Sequence, residues 1–345
     1  MIKIRTYLSV FFLVILGSFL FTSCHSCERT KEKKHAVSVA KLKEVQRQLK
    51  ITIERYEVDF FAVSSDNFVE DLKKLQKKYP FFLEGDLDDV RNQRQLWSYL
   101  NDPLIKEINE LTMKKYPELN DLTAQFREAF SYYSTYFPDE KIPHIYTYVS
   151  GLDYEMPIKL MDSILVIALD MYLGSNCKYY NELAIPQYIS TRFQKEYILP
   201  NCFSEISYLH SSNPKTCVTV LDHMIFEGRR IYFTEMMLPN LHDTLLIGYS
   251  GAGLNWAKQN EGNVWGYFLD NEILYSKESK AVVKLIQEAP FTSYFSKESP
   301  GRMGIWIGWQ IVRKYMNGND VELADFMQEE NYKMVLEKSK YKPKK

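Results

Sequence analysis

Two segments near the middle of the chain limit the folds open to it. PHIYTYVSGLDY (143–154) and DSILVIALDMYLG (162–174) are rich in β-branched and aromatic residues and read as neighbouring strands, separated by a turn-rich EMPIKLM. ITIERYEVDFF (51–61) has the same texture and reads as a further strand. So few strands cannot bury their own apolar faces, and helices must cover them. DNFVEDLKKLQKKYP, opened by Asp66 as a cap and stopped before Pro80, is the first helical candidate. DDVRNQRQLWSYL, PLIKEINELTMKKYP and LNDLTAQFREAFSYYSTYFP continue at helical spacing. Helical segments resume at IPQYISTRF, KTCVTVLDHMIFEGRRIYFTEMMLP and SGAGLNWAKQNEGNVWGYFLDNEILYS, then at APFTSYFSKESPGRMGIWIGWQIVRKYMNGN, and end with DVELADFMQEENYKMVLEKS as a last helix. There is no repeat period and no low-complexity tract. The expected fold is α+β, mainly helical with a small central β-sheet. It occupies a single domain over 51–343, with a helical part at 66–138 and a sheet-and-helix part at 139–343.

The first 23 residues belong to a different class. Lys3 and Arg5 precede an apolar block from Tyr7 to Phe21, followed by Thr22, Ser23 and Cys24. That is the layout of a secretory signal, and the block of about 15 residues is short of the roughly 20 a membrane span needs. A cysteine directly after the small residues is the lipoprotein arrangement: cleavage after Ser23 leaves Cys24 as an N-terminal residue whose thiol takes a diacylglyceryl group. Two or three acyl chains then anchor stably, at about 0.8 kcal/mol per buried methylene. Residues 24–50, with ERTKEKKH near their start and LKEVQRQLK at their end, read as a charged tether that turns helical toward the domain. Cys27 forms a C-x-x-C pair with Cys24, but no second pair follows, so zinc is not indicated.

Cleavage removes Lys3 and Arg5 and no acid, moving the net charge from −1 to −3. That balance argues against a nucleic-acid partner, which needs a concentrated basic face. With 46% apolar residues the chain can build a large core. Cys177, Cys202 and Cys217 are odd in number and irregular in spacing, and read better as buried free thiols than as a disulfide scaffold.

IERYEVDFF, IYTYVSGLDY, SILVIALDMYLG, MIFEGRRIYFTEMMLP, NEGNVWGYF and APFT…SPGRMGIWIGWQIVRKYM, in that order behind a lipidated cysteine, resemble the gliding-motility lipoprotein GldB family of Bacteroidota. The resemblance implies an envelope lipoprotein, anchored in a membrane through Cys24, that acts with other envelope proteins of a motility machinery linked to type IX secretion. It carries over no catalytic residue and no cofactor. The tether lacks the acidic run that marks surface export in some Bacteroidota lipoproteins, so a periplasm-facing domain is expected.

A fainter resemblance is to zinc peptidases of the HExxH kind, which implies a zincin-like fold. In those, two His one turn apart bind the metal and a downstream Glu, often followed by Gly, completes the set. Glu227 of FEGRRIYF would take that last place, and PQYISTRF (186–193) lies where the HExxH helix is expected, without an imidazole. His223 stands one turn from Glu227, with His210 and His242 as the available third ligands. The sharper expectation is a peptidase-like fold without its metal.

The remaining candidates would line a cleft of such a fold. Asp170 interrupts an apolar strand, where a carboxylate either faces a cleft or bonds backbone amides at the strand end. Arg302 in SPGRMG, near a helix start capped at Ser299 or Gly301, would clamp a carboxylate or, the favoured reading, brace against Asp170 or Glu227. Trp306 and Trp309 share a helix face and read as core more than as a stacking platform. NEGNVW (260–265) resembles a turn between helices with Asn260 and Glu261 as caps. GYSGAG (248–253) lacks the spacing and the Lys of a phosphate loop. No complete catalytic constellation emerges, which leaves a non-catalytic binding domain as the leading reading and a metal-dependent hydrolase or a peptide- or glycan-binding module as its rivals.

Overall fold

The computed structural model describes residues 37–344, so the signal segment, Cys24 and the start of the tether lie outside the described residues. The first element is helix α1 (Val39–Gln48), capped by the Ser38 hydroxyl, which accepts from the Lys41 amide. It buries Leu42 and lies along the later helix Asn120–Tyr136, so this part of the predicted tether is packed on the domain.

Strand β1 (Ile53–Arg55) is short, and α2 (Tyr56–Phe61) follows at once. The predicted strand over 51–61 is therefore strand only at its start. Tyr56 and Phe60, one helical turn apart, stack at 4.9 Å, and Tyr56 stacks on Phe82 at 4.0 Å. The same turn buries the Glu57 carboxylate, which accepts from Arg55 Nε and Thr147 Oγ1, each at 2.8 Å. Helices α3 (Phe68–Lys78), α4 (Val90–Asn101), α5 (Pro103–Lys115) and α6 (Asn120–Tyr136) follow the predicted helical spacing. Asp89 and Asp102 cap α4 and α5. Asp66 does not cap α3: the helix opens one residue later at Asn67, and the Asp66 amide bonds to Ser64 Oγ instead.

The sheet contains β2 (His144–Tyr148), β3 (Ile158–Met161) and β4 (Ile164–Ala168), in the order β1-β2-β4-β3. β1, β2 and β4 are parallel, and β3 runs antiparallel along the outer edge of β4. β3 falls in the segment read as turn-rich. It is four residues long and follows Pro157, so it carries no alternation of its own, and a tight turn with Asp162 at φ 46° folds it onto β4. Tyr146 sends its ring into a small aromatic core with Tyr79 and Phe81, while Ile145, Leu165 and Ile167 belong to the large core. Beyond Ala168 the predicted strand ends in a 3₁₀ turn, Leu169–Tyr172.

The rest is helical: α7 (Lys178–Glu182), α8 (Gln187–Ser190), α9 (Ile198–His210), α10 (Val220–Met237), α11 (Asp243–Ile247), α12 (Gly251–Asp270), α13 (Ser279–Ile286), α14 (Met303–Gly318), α15 (Leu323–Gln328) and α16 (Tyr332–Ser339). Three sequence expectations change here. Helix α9 lies where none was expected, because Pro200 sits in its first turn, where no backbone donor is needed. NEGNVW is not a turn but the middle of α12. The predicted last helix breaks into α15 and α16, because the buried guanidinium of Arg229 draws in the Glu329 carbonyl at the break (2.7 Å).

Helices α10 and α14 form the centre of the large core. They cross glycine on glycine: a Cβ on Gly228 would come within 2.5 Å of Trp309 N, and one on Gly308 would overlap the Met224 carbonyl oxygen. Around the crossing, Trp309 Nε1 and Arg313 Nε both donate to Glu235 Oε2 (2.9 and 2.8 Å), and Arg313 Nη2 reaches Asp243 at 2.7 Å. Gly308→Ala is expected to lower stability by about 1–3 kcal/mol or more, as overpacking against main chain does. Gly318→Ala at the end of the same helix, where a Cβ meets open space, should be neutral or slightly stabilising; urea midpoints of the two variants check the difference.

Candidate functional site

The two crossing helices, with α9 and α11, enclose a polar recess of about 220 Å³. Helix α10 contributes Glu227 and Arg230, α9 contributes Asn201 and Ser204, and the chain before α9 contributes Arg192. Gly248, the left-handed cap of α11 at φ 76°, closes one wall, where any side chain would strike Arg192 Cδ at 2.8 Å. Arg302 closes another wall as the residue before α14. Its own φ of 58° is unusual for a residue with a side chain, and its guanidinium bonds the Ile247 carbonyl.

The charges sort into two groups. Arg230 spends its donors on Glu227 Oε2 (2.7 Å), Ser207 Oγ (3.0 Å) and the Ser204 carbonyl and hydroxyl (3.0 and 3.1 Å), and it covers the Tyr208 ring. Arg192 and Arg302 share a single carboxylate, with Nη1 of each on the same oxygen, Glu288 Oε1, at 2.9 and 3.2 Å. Burial pushes the Glu288 carboxyl up, but Arg302 and Arg192 more than offset that and hold it below its usual range. Burial and then Arg302 lower Arg192. Burial raises the nearby Glu205, with Arg230 opposing and Glu227 adding to the rise.

Of the sequence candidates, this recess unites Glu227 and Arg302 only. Arg302 does not brace against Asp170 or Glu227, as expected; its partner is Glu288, which the folded chain brings over from the end of α13. Asp170 is fully buried and takes the backbone-amide option. Its Oδ1 accepts from the Ser150 amide (2.9 Å) and its Oδ2 from the Leu152 amide (2.8 Å), with the Ser150 hydroxyl between them. Burial raises its carboxyl despite these bonds. Trp306 and Trp309 are core residues packed edge to face at 5.7 Å. Glu261, mid-helix, accepts from Trp306 Nε1 (3.2 Å) and Tyr341 Oη (2.9 Å), and Asn260 bonds back to the Trp256 carbonyl at 2.9 Å. Neither Asn260 nor Glu261 is a cap. Cys24 lies outside the described residues.

His223 lies on α10 one turn before Glu227, but His210 and His242 are engaged with other partners. His210 is buried with Nε2 on Tyr133 Oη (3.0 Å) and its ring against Phe137 and Phe233, and burial lowers its basicity. His242 caps α11 through Nδ1. Among the described residues no group of three His, Cys, Asp or Glu is placed to hold a metal ion. PQYISTRF, read as helical, is helix only over the four residues Gln187–Ser190. Cys177, Cys202 and Cys217 are free, with Cys202 buried and the Cys217 thiol pushed up to about 11, chiefly by burial.

Arg192, Arg230 and Glu288 escaped the sequence reading because each is an ordinary charge in its own segment. Only the approach of residues 96 positions apart makes Arg192 and Glu288 partners.

Asp170→Asn would turn one acceptor toward the Ser150 or Leu152 amide into a donor, and is expected to cost about 3 kcal/mol in urea unfolding. Glu288→Gln is expected to cost about 1 kcal/mol near neutral pH, the half-exposed carboxylate being partly screened. A carboxyl held low in the folded state stabilises above its ordinary value of 4.5 and loses that contribution as pH falls through the folded value. The variant should therefore lose less stability than the parent below about pH 4.5, as read from unfolding midpoints across pH.

A family model described as gliding motility protein GldB matches residues 35–343. No curated protein and no solved structure matches the chain. No helix among the described residues is long and apolar enough to cross a membrane. The family match covers the sheet, the α10–α14 crossing and the recess together, and on that ground the chain belongs to the gliding motility protein GldB family.

Proposed function

We propose that the protein is a lipid-anchored subunit of the cell envelope that works without catalysis, binding and stabilising other proteins of a gliding-motility machinery related to type IX secretion. Residues 1–23 are its signal peptide, Cys24 is the acylated residue, and the segment after it ties the domain to the membrane on the periplasmic side. The observation that carries this reading is the family match, which runs through nearly the whole domain. The recess is compatible with binding, since it gathers three guanidiniums around two carboxylates beside an apolar cleft. A membrane anchor confines the domain near its partners and raises its effective concentration against them.

Metabolic labelling with radioactive palmitate tests the anchor. The protein should carry the label, and Cys24→Ala should lose it and remain at precursor size. Crosslinking in intact cells tests the role. Partners recovered with the parent protein should be envelope proteins of the motility or secretion machinery, and should fall away in Cys24→Ala. A labelled protein that crosslinks to no envelope protein would end the accessory-subunit reading.

A further inference from the structure

A cavity of about 810 Å³ lies beside β3. One wall is the continuous stretch 154–161, and the other is built by Ile189, Phe193 and α9. The register decides what β3 offers there. Ala168 N–H donates to the Pro157 carbonyl (2.9 Å), which makes Pro157–Ala168 a hydrogen-bonded pair. Such pairs alternate along an antiparallel ladder, so Lys159 and Met161 also bond toward β4. The amides and carbonyls of Ile158 and Leu160 then face outward, two residues and about 7 Å apart. Among the described residues nothing hydrogen-bonds to them. Strand edges are usually protected by charge, proline or a covering segment. Here Pro157 precedes the strand and Lys159, paired with Asp153, lies on it, but Ile158 and Leu160 keep their outward amides, with exposed Met156 and Met161 beside an apolar cleft.

The cleft leads to the recess. Arg192, Asn201, Ser204 and Glu288 line both, and Arg302 lines the smaller recess of about 220 Å³ beyond the cleft of about 810 Å³. At that end two guanidiniums rest on one oxygen of one carboxylate, so the recess lining carries Arg192, Arg230 and Arg302 against Glu227 and Glu288, while Glu205 lines the cleft rather than the recess and burial raises its carboxyl. Arg230 is bound to Glu227.

We propose that this cleft binds the C-terminal strand of a partner protein, which adds to the free edge of β3 and places its terminal carboxylate on Arg192 and Arg302. Outward amide and carbonyl groups spaced two residues apart match an extended polypeptide, with apolar side chains received between β3 and α9. The doubled guanidinium matches a carboxylate bidentately, and the recess beyond the cleft is small beside it, about 220 against about 810 Å³, which suits a chain end. This site rests on the partner-binding role proposed above and specifies how a partner is held.

The test uses the full-length lipidated protein, immobilised in detergent and offered a mixture of synthetic peptides of about eight residues, randomised at every position. One mixture carries free C-terminal carboxylates and the other is amidated. The free-acid mixture should be captured about tenfold more strongly than the amide, the usual value of one charge-assisted contact. Arg192→Gln should erase that preference. Leu160→Pro removes only an amide that faces away from β4, so the sheet is kept, and it should lower capture about tenfold relative to Leu160→Ala, which keeps the amide. No capture from either mixture, equal capture of acid and amide by the parent protein, or equal capture by Leu160→Pro and Leu160→Ala would each overturn the proposal. The acid–amide comparison needs no variant and stands even if Leu160→Pro unfolds. Failure here with palmitate labelling and envelope crosslinks intact would leave the accessory role standing through another surface, whereas loss of the crosslinks would remove the role whatever the peptides do.

Discussion

The crossing of α10 and α14 at Gly228 and Gly308 is the contact on which the rest of the structure depends. Two helices approach this closely only where neither carries a Cβ, and that approach sets the angle and depth at which every other side chain of the pair is presented. Trp309 and Arg313 meet Glu235 across it, and Asp243 joins from α11. Glu227 and Arg230 lie next to the crossing on one helix, and Arg302 opens the other. The recess is therefore a by-product of helix packing, and a shift of the crossing would separate its charges.

Around this centre the protein buries polar groups and satisfies them mostly with neutral partners. Arg229 is fully buried, and the hydrogen bonds it donates go to neutral acceptors. It holds the Glu329 carbonyl, the Ser212 and Tyr332 hydroxyls and the face of Phe226. Asp170 is its anionic counterpart, wrapped in the amides of Ser150 and Leu152. Removing one member of such a set strands the rest in a medium of low dielectric, so these groups fix single positions for the segments they join: the α15–α16 break in one case, the loop after β2 in the other. They account for two of the sharpest charges in the sequence without any chemistry. The charges at the recess differ, since Arg192 and Arg302, both mostly buried, share one carboxylate, Glu288, which is the more exposed of the three.

Much of the fold was legible from local pattern. The four helices before the sheet kept the predicted spacing, and the two apolar segments in the middle became adjacent parallel strands. What failed did so for identifiable reasons. β3 is too short to show alternation and is recruited by its hairpin turn. Tyr56 and Phe60 suit a strand by composition, but stacking on each other and on Phe82 makes them helical. Asn260 and Glu261 have the polarity of caps, yet both sit within a helix where a back-bond and a buried indole satisfy them. At the site, Glu227 and Arg302 were visible because they stood out in their segments, while Glu288 was not.

The sequence by itself determined the class of this protein: an apolar block ending at a cysteine, a nearly even charge balance, and an ordered set of segments that marks its family. These are properties of composition and local order, and folding does not alter them. The tertiary structure decided which carboxylate meets Arg302, whether Asp170 faces a cleft or a loop, and that β3 lines a cavity of about 810 Å³. Each of those depends on contacts between residues far apart in the chain, and local periodicity carries no record of which distant segments the core will bring together.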